Sequence, residues 1–94
     1  MKHYILAKFL PQYVEKFPLF SRIEEIFSTA GKIPGIHSAQ VYTNCVHREN
    51  RYDVMIVLDM DREALSAWDT SIEHQLWKKE FTPFLEKKAI FDHE

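Results

Sequence analysis

The stretch RYDVMIVLDM, residues 51–60, decides the fold class of this chain. Its β-branched and aromatic residues predict a strand. Because side chains alternate across a strand, Ile56 and Leu58 share one face, while Met55 and Val57 share the other. A strand of an antiparallel sheet with one face in water alternates between apolar and polar residues, and this strand does not. We therefore expect both faces of its sheet to be covered.

Three further strands are predicted around this one. Residues 36–44 form the strand before it, and the polar connection at residues 47–50 is short enough to join the two as an antiparallel hairpin. The first strand of the chain spans residues 2–10 and stops at Pro11. A short final strand covers residues 88–92.

An amphipathic helix is predicted between the first two strands, from about residue 18 up to Gly31. Apolar residues there recur every three or four positions, which is the period of one helix face. These apolar residues are Phe17, Phe20, Ile23, Phe27 and Ala30. We expect Gly31 to end the helix as its C-cap residue, since glycine readily adopts a left-handed backbone conformation.

Helical spacing returns after the third strand. Asp61 is predicted to cap a helix with its side-chain oxygen, and Ser71 is predicted to cap the next one. The apolar residues of the first are Ala64, Leu65 and Trp68. Those of the second are Leu76, Trp77, Phe81, Phe84 and Leu85. Pro83 must interrupt the second helix because it lacks an N–H, and Thr82 is then a possible new N-cap.

The element order is β-α-β-β-α-β, the split βαβ arrangement of ferredoxin-like folds. We predict an α+β protein with a four-stranded antiparallel sheet, in one domain spanning residues 1–94. Helices can cover one face of such a sheet, so the apolar second face favours a two-fold homodimer. The alternative is a scattered apolar surface on a monomer.

Composition and charge argue against several classes of protein. A net charge of −2 gives no basic stripe for nucleic acid, and no apolar run reaches the ~18 residues of a membrane span. The single cysteine, Cys45, cannot form an internal disulfide, which favours a cytoplasmic protein. The five histidines lack the spacings of a metal site, so no metal is expected. Aromatic residues make up 14% of the chain, which suggests a partner surface or a ligand pocket.

Short segments spread along the chain follow the pattern of a known family. They are Lys2-His3, Ile33-Pro34-Gly35-Ile36, Tyr52-Asp53-Val54, Glu63-Ala64-Leu65 leading to Glu73-His74, and Phe91-Asp92. In these segments the sequence resembles the stress-responsive α/β-barrel domain (Dabb) family of the dimeric α+β barrel superfamily. The resemblance implies a homodimer whose two sheets face each other as a barrel. One branch of the family is a plant polyketide cyclase that closes an aromatic ring by aldol chemistry without metal or organic cofactor, so no cofactor is expected.

The resemblance implies His74 and His3 as candidate catalytic residues. His74 corresponds to the catalytic histidine of the cyclase branch, and histidine can act as acid or base near neutral pH. The family match places His3 on the strand face that bears Ile5, toward the helices, where it can approach Trp68 and His74. Two positions depart from the cyclase. Trp68 replaces the tyrosine that pairs with the catalytic histidine and cannot transfer a proton, and Val54 replaces a second pocket histidine.

An apolar cleft between the sheet and the helices is the expected ligand site. Its candidate ligand-binding residues are Trp68, Val54, Ile5, Phe20 and Phe27. Three functions remain open for this chain. The first is a small homodimeric protein that binds an apolar or aromatic molecule. The second is a cofactor-independent cyclase, lyase or isomerase that uses His74 with help from His3, and the third is a structural dimer whose aromatic residues only pack.

Overall fold

The computed structural model describes the backbone of residues 1–14 and 17–94 and the side chains of residues 1–14 and 19–94. The strands of this part of the chain are β1 (Lys2–Phe9), β2 (Ile36–Thr43), β3 (Val54–Met60) and β4 (Leu85–His93). Its α-helices are α1 (Phe17–Phe27), α2 (Leu65–Asp69) and α3 (Ile72–Phe81). The predicted contribution of Phe17 to the apolar stripe of α1 lies outside the described side chains.

The strands form an antiparallel sheet in the order β2-β3-β1-β4. The two central strands, β1 and β3, pair with each other, and each carries one of the outer strands. This order, with helices between β1 and β2 and between β3 and β4, is the predicted ferredoxin-like fold. The α+β class and the antiparallel sheet are confirmed.

One face of the sheet packs against the helices. The buried side chains of β1 are His3, Ile5, Ala7 and Phe9. Those of β3 on the same face are Val54, Ile56, Leu58 and Met60. The helices cover them with Ile23, Ile26, Phe27, Trp68, Trp77 and Phe81. The core therefore lies between the sheet and one helical layer, and His3 faces the helices as predicted.

The other face of the sheet, here called the open face, is apolar in the middle. The register places Tyr4, Leu6, Tyr42, Met55, Val57, Ala89 and Phe91 on it. No helix of the described chain covers these side chains, and Phe91 is 61% exposed. At one end of the strands Lys2 donates a hydrogen bond of 2.9 Å to Asp59. This contact raises the pKa of Lys2 and lowers that of Asp59.

The first helix ends earlier than the sequence indicates. α1 stops at Phe27, and residues Ala30–Lys32 form a short 3-10 turn, so the prediction of Gly31 as a left-handed C-cap is wrong. Among the described glycines the positive φ belongs to Gly35, at 88°. A Cβ at Gly35 would lie 2.8 Å from the Cβ of Ala64, so this tight turn into β2 excludes a side chain.

The predicted caps have different outcomes. Ser71 caps α3 as predicted, since its Oγ accepts a hydrogen bond of 3.1 Å from the backbone N–H of His74. Asp61 stands at an N-cap position, but its side chain makes no cap hydrogen bond and instead contacts His37 Nε2 at 2.9 Å. The prediction of Thr82 as a cap is wrong, because Phe81 occupies the N-cap position of the following 3-10 turn.

Two strands begin at other residues than predicted. β3 begins at Val54 rather than at residue 51, because the backbone N–H of Arg51 donates a hydrogen bond of 3.1 Å to the Arg48 carbonyl in a turn. The carboxylate of Asp53 accepts a hydrogen bond of 2.8 Å from the Phe9 N–H as the chain enters the sheet. β4 begins at Leu85, three residues before the predicted start. Pro83 ends α3, and Phe84 and Leu85 leave the helical stripe to which the sequence assigned them.

Candidate functional site

A cleft of about 350 Å³ opens between the β1–β4 side of the sheet and helices α2 and α3. Its lining side chains combine apolar, imidazole and charged groups. They are His3, Ile5, Leu65, Trp68, Asp69, His74, Trp77, Lys78, Lys88, Ile90 and Asp92. Four residues predicted for the site from the sequence, His3, Ile5, Trp68 and His74, therefore meet in one place. A concave site with an apolar wall and a few polar groups is typical of small-molecule binding.

His3 enters the cleft from β1 with a carboxylate beside it. The antiparallel register of β1 and β4 sets His3 directly opposite Asp92. The His3 Nδ1 and Asp92 Oδ1 atoms are 2.5 Å apart, and the His3 side chain is only 7% exposed. Because a carboxylate accepts, Nδ1 carries the shared proton when the imidazole donates to it. The other ring nitrogen, Nε2, is then free for a ligand.

His74 enters the cleft from the first turn of α3. The cap from Ser71 fixes the start of the helix, and His74 Nδ1 lies 2.9 Å from the backbone carbonyl oxygen of Asp69. Since a carbonyl oxygen only accepts, Nδ1 of His74 donates this hydrogen bond. The neutral imidazole therefore presents Nε2 as an acceptor, and this nitrogen can receive a proton.

Trp68 forms the inner wall of the cleft. Its ring centroid lies 5.0 Å from that of His74 and 5.5 Å from that of Phe27. The large buried indole fills space at the position where the cyclase branch of the resembled family carries tyrosine. Trp68 can therefore supply an apolar surface and support the His74 ring, but its indole cannot act as an acid or base.

The other predicted ligand-binding residues lie elsewhere. Phe27 packs behind Trp68 and against Trp77, at a centroid distance of 5.6 Å from the latter, inside the core. Phe20 lines a separate cavity of about 520 Å³ with Val14 and His47. Val54 is buried in β3 and borders a groove on the open face. The structure thus does not bring Phe20, Phe27 or Val54 to the cleft that holds the two histidines.

Asp92 is the residue of the cleft that sequence reasoning missed as a functional group. It belongs to the family segment Phe91-Asp92, yet no pattern in the sequence pairs it with His3, which lies at the other end of the chain. A ferredoxin-like fold pairs the first and last strands antiparallel, and this was the signal in the sequence that could have brought Asp92 near His3. The register of these two strands could not be predicted, because β1 and β4 lie at opposite ends of the chain and no hairpin turn fixes their alignment. Lys78 and Lys88 also line the cleft, although no pattern in the sequence assigns them to a site.

The described residues hold neither a metal-binding cluster nor a membrane-spanning helix. No group of three or more histidine, cysteine, aspartate or glutamate side chains among them is arranged to hold a metal ion. No helix among them is both long enough and apolar enough to cross a membrane.

The similarity of this chain to known proteins is found in its three-dimensional structure. No family model matches the sequence, and no curated protein matches it either. A dimeric protein of unknown function with a ferredoxin-like fold from Bacteroides fragilis superimposes with a TM-score of 0.81 at 21% identity, over 99% of this chain and 93% of that one.

Two further solved structures share the fold. A Dabb family protein from Mesorhizobium loti has a TM-score of 0.73 at 14% identity, over 99% of this chain and 93% of that one. The hydroxynitrile lyase of Passiflora edulis has a TM-score of 0.74 at 15% identity, over 98% and 89% respectively. At these identities the likeness shows the ferredoxin-like fold. It also agrees with the resemblance to the Dabb family seen in the sequence segments.

Proposed function

We propose that residues 1–94 form a single domain of a homodimeric α/β-barrel protein that binds a small apolar or aromatic molecule in the cleft between His3 and His74. The main support for the proposal is the open cleft, because buried aromatic residues and two imidazoles line a single space of about 350 Å³. The exposed, unpaired Cys45 supports a reducing compartment, and we place the protein in the cytoplasm.

The chemistry of the lining supports a ligand with an apolar body and one polar group. Ile5, Leu65 and Ile90 supply aliphatic surface beside the Trp68 indole. The Nε2 atoms of the two histidines can each accept a hydrogen bond from a hydroxyl group of the ligand. Such a combination of apolar walls with few polar anchors fixes the orientation of a small molecule while its burial provides affinity.

Filling the cleft tests this binding function. We expect the wild-type protein to bind 2-naphthol in isothermal titration calorimetry, and Ile90→Trp to weaken that binding at least about tenfold by occupying the space. Ile72→Trp is the matched control, because Ile72 is an exposed isoleucine of α3 that does not line the cleft. Failure of the wild type to bind 2-naphthol and phenol, or equal binding by both variants, would contradict the proposal.

The homodimer is supported by the open face of the sheet. Its middle is apolar, and a contiguous apolar patch on a protein in water is usually covered by a partner. The Bacteroides fragilis protein with the same fold is described as dimeric. Light scattering at micromolar concentration should therefore give twice the mass of the 11.2 kDa chain. A monomer at those concentrations would reject this part of the proposal.

A second candidate function is acid/base catalysis without an organic cofactor, as in a cyclase, lyase or isomerase. The contact of 2.5 Å between His3 and Asp92 favours it, because a carboxylate that orients an imidazole is a common arrangement in proton transfer. His74 would be the second acid/base group. The Passiflora edulis protein of this fold is named a hydroxynitrile lyase, which suggests a first substrate to try.

Cleavage of mandelonitrile to benzaldehyde and hydrogen cyanide tests this second candidate. If it holds, His74→Ala and His3→Ala should each lower the enzymatic rate about 10²–10⁴-fold, and Ile72→Ala should not change it. Absence of turnover above the uncatalysed rate would remove support for a lyase acting on this substrate. The binding function would stand, since it is measured separately.

A further inference from the structure

Two lysine residues line the cleft from its two sides. Lys78 belongs to the last turn of α3, and Lys88 belongs to the first half of β4. Both residues are exposed. None of the ion pairs formed among the described residues includes either ammonium group. Two cations that share a concave site without a carboxylate partner favour the entry of an anion.

The acidic residues that lie close to these lysines in sequence have other partners. Glu80 of α3 accepts two hydrogen bonds from the guanidinium of Arg22. Glu86 of β4 has its carboxylate 3.6 Å from the ammonium of Lys8. Neither glutamate lines the cleft. The positive charge of the two cleft lysines is therefore available to a ligand.

The cleft has a basic end and an acidic end. β3 and β4 both run antiparallel to β1, so they are parallel to each other, and the helical segment that connects them must run back along the sheet. The C-terminal turn of α3, with Lys78, therefore lies near the part of β4 that carries Lys88. The N-terminal turn of α3, with His74, lies toward the end of β4 where Asp92 contacts His3.

The distance between the two ends suits a small molecule. His74 and Lys78 are four positions apart on one face of α3, which corresponds to a rise of ~6 Å. Lys88 and Asp92 share one face of β4 and are ~13 Å apart along the strand. Ile90 lies between them and lines the cleft. An apolar body can therefore occupy the middle of the cleft while an anionic group reaches the lysines without approaching the Asp92 carboxylate.

We propose that the cleft binds an organic anion whose charged group lies at the end lined by Lys78 and Lys88. Its apolar body then packs against Ile90. The inference rests on the small-molecule binding of the proposed function and adds the charge and the orientation of the ligand. Asp69, which also lines the cleft, precedes α3 and so lies at the acidic end. The carboxylates at that end repel an anion, whereas the two ammonium groups attract it.

A pair of ligands that differ by one carboxylate tests the inference. At pH 7 the carboxyl group of 6-hydroxy-2-naphthoate is ionised, whereas 2-naphthol is neutral. In isothermal titration calorimetry we expect the wild-type protein to bind 6-hydroxy-2-naphthoate at least about fivefold more tightly than 2-naphthol. Added salt should reduce this difference in affinity, because it screens interactions between exposed charges.

Variants of the two lysines locate the charged contact. Lys78→Gln combined with Lys88→Gln should weaken the binding of 6-hydroxy-2-naphthoate at least about fivefold and leave that of 2-naphthol unchanged. Unchanged binding of 2-naphthol also shows that the variant is folded. Lys79→Gln combined with Lys87→Gln is the matched control, because it removes the same charge from neighbouring positions of α3 and β4 that do not line the cleft.

The possible outcomes separate this inference from the proposed function. Failure of the wild type to bind either ligand would contradict both of them. Equal affinity of the wild type for the two ligands would overturn the anion site and leave the binding of an apolar molecule standing. Equal weakening of 6-hydroxy-2-naphthoate binding by the two double variants would also overturn it, because net charge alone would then explain the effect.

Discussion

His3 and Asp92 show how one hydrogen bond between two strands places an imidazole in the cleft. The His3 side chain is almost fully buried, so its Nδ1 atom depends on the Asp92 carboxylate for a partner. A buried polar group that loses its partner destabilises the folded state. The position of His3 in the cleft therefore depends on a residue from the far end of the chain.

Asp92→Ala should accordingly lower the free energy of unfolding, because His3 loses its hydrogen-bond partner. The loss should be only about 1 kcal/mol, because water in the open cleft can replace part of this hydrogen bond. Asp92→Asn should cost less, since its amide oxygen can still accept from Nδ1. Urea denaturation measures both. Asp69→Ala is the control, because His74 bonds to the backbone carbonyl of Asp69, which this substitution keeps. Equal stability of the Asp92→Ala and Asp69→Ala proteins would contradict this account of His3.

At the scale of elements, α1 and α3 are joined by an ion pair as well as by the core. Arg22 Nε and Nη2 donate hydrogen bonds of 2.8 and 2.6 Å to the two carboxylate oxygens of Glu80. These hydrogen bonds lower the pKa of Glu80 and raise that of Arg22. A carboxyl group with a depressed pKa in the folded state stabilises the protein above its ordinary pKa, and the effect is lost as the pH falls through the folded value.

Glu80→Gln should therefore lower the Tm slightly at pH 7, and the difference from wild type should shrink as the pH falls from about 5 toward 2. The effect is small because the pair is solvent-accessible. Glu25→Gln is the control, since Glu25 contacts the same Arg22 from within α1 and joins no second element. A Tm difference for Glu80→Gln that is constant across this pH range would show that the ion pair is not its cause.

At the scale of the whole molecule, the proposed dimer makes stability depend on protein concentration. Association stabilises the folded state by mass action, so the Tm should rise when the protomer concentration is increased. Scanning calorimetry over a hundredfold concentration range measures this rise. Phe91→Ala should reduce this dependence, because it removes an exposed aromatic ring from the open face, and Ile72→Ala on α3 should not. A concentration-independent Tm in the wild type would argue against a dimer that dissociates as it unfolds.

The fold was predictable because it depends on patterns that are local in sequence. The two-sided apolar strand at Val54–Met60 and the change from strand to helix period set the order of elements. The element ends were less predictable. Gly31 and Asp61 carry correct local signals for caps, but α1 stops at Phe27 and the Asp61 carboxylate bonds to His37, a contact between distant residues.

The candidate site was also only partly predictable from the sequence. The resemblance in the sequence pointed to His3 and His74 and placed His3 toward the helices, while the alternation of β1 determined only which residues share its face. The pairing of His3 with Asp92, and the separation of Phe20, Phe27 and Val54 from the cleft, depend on strand register and helix packing. Those are set by contacts between residues far apart in sequence, so only the tertiary structure decided them.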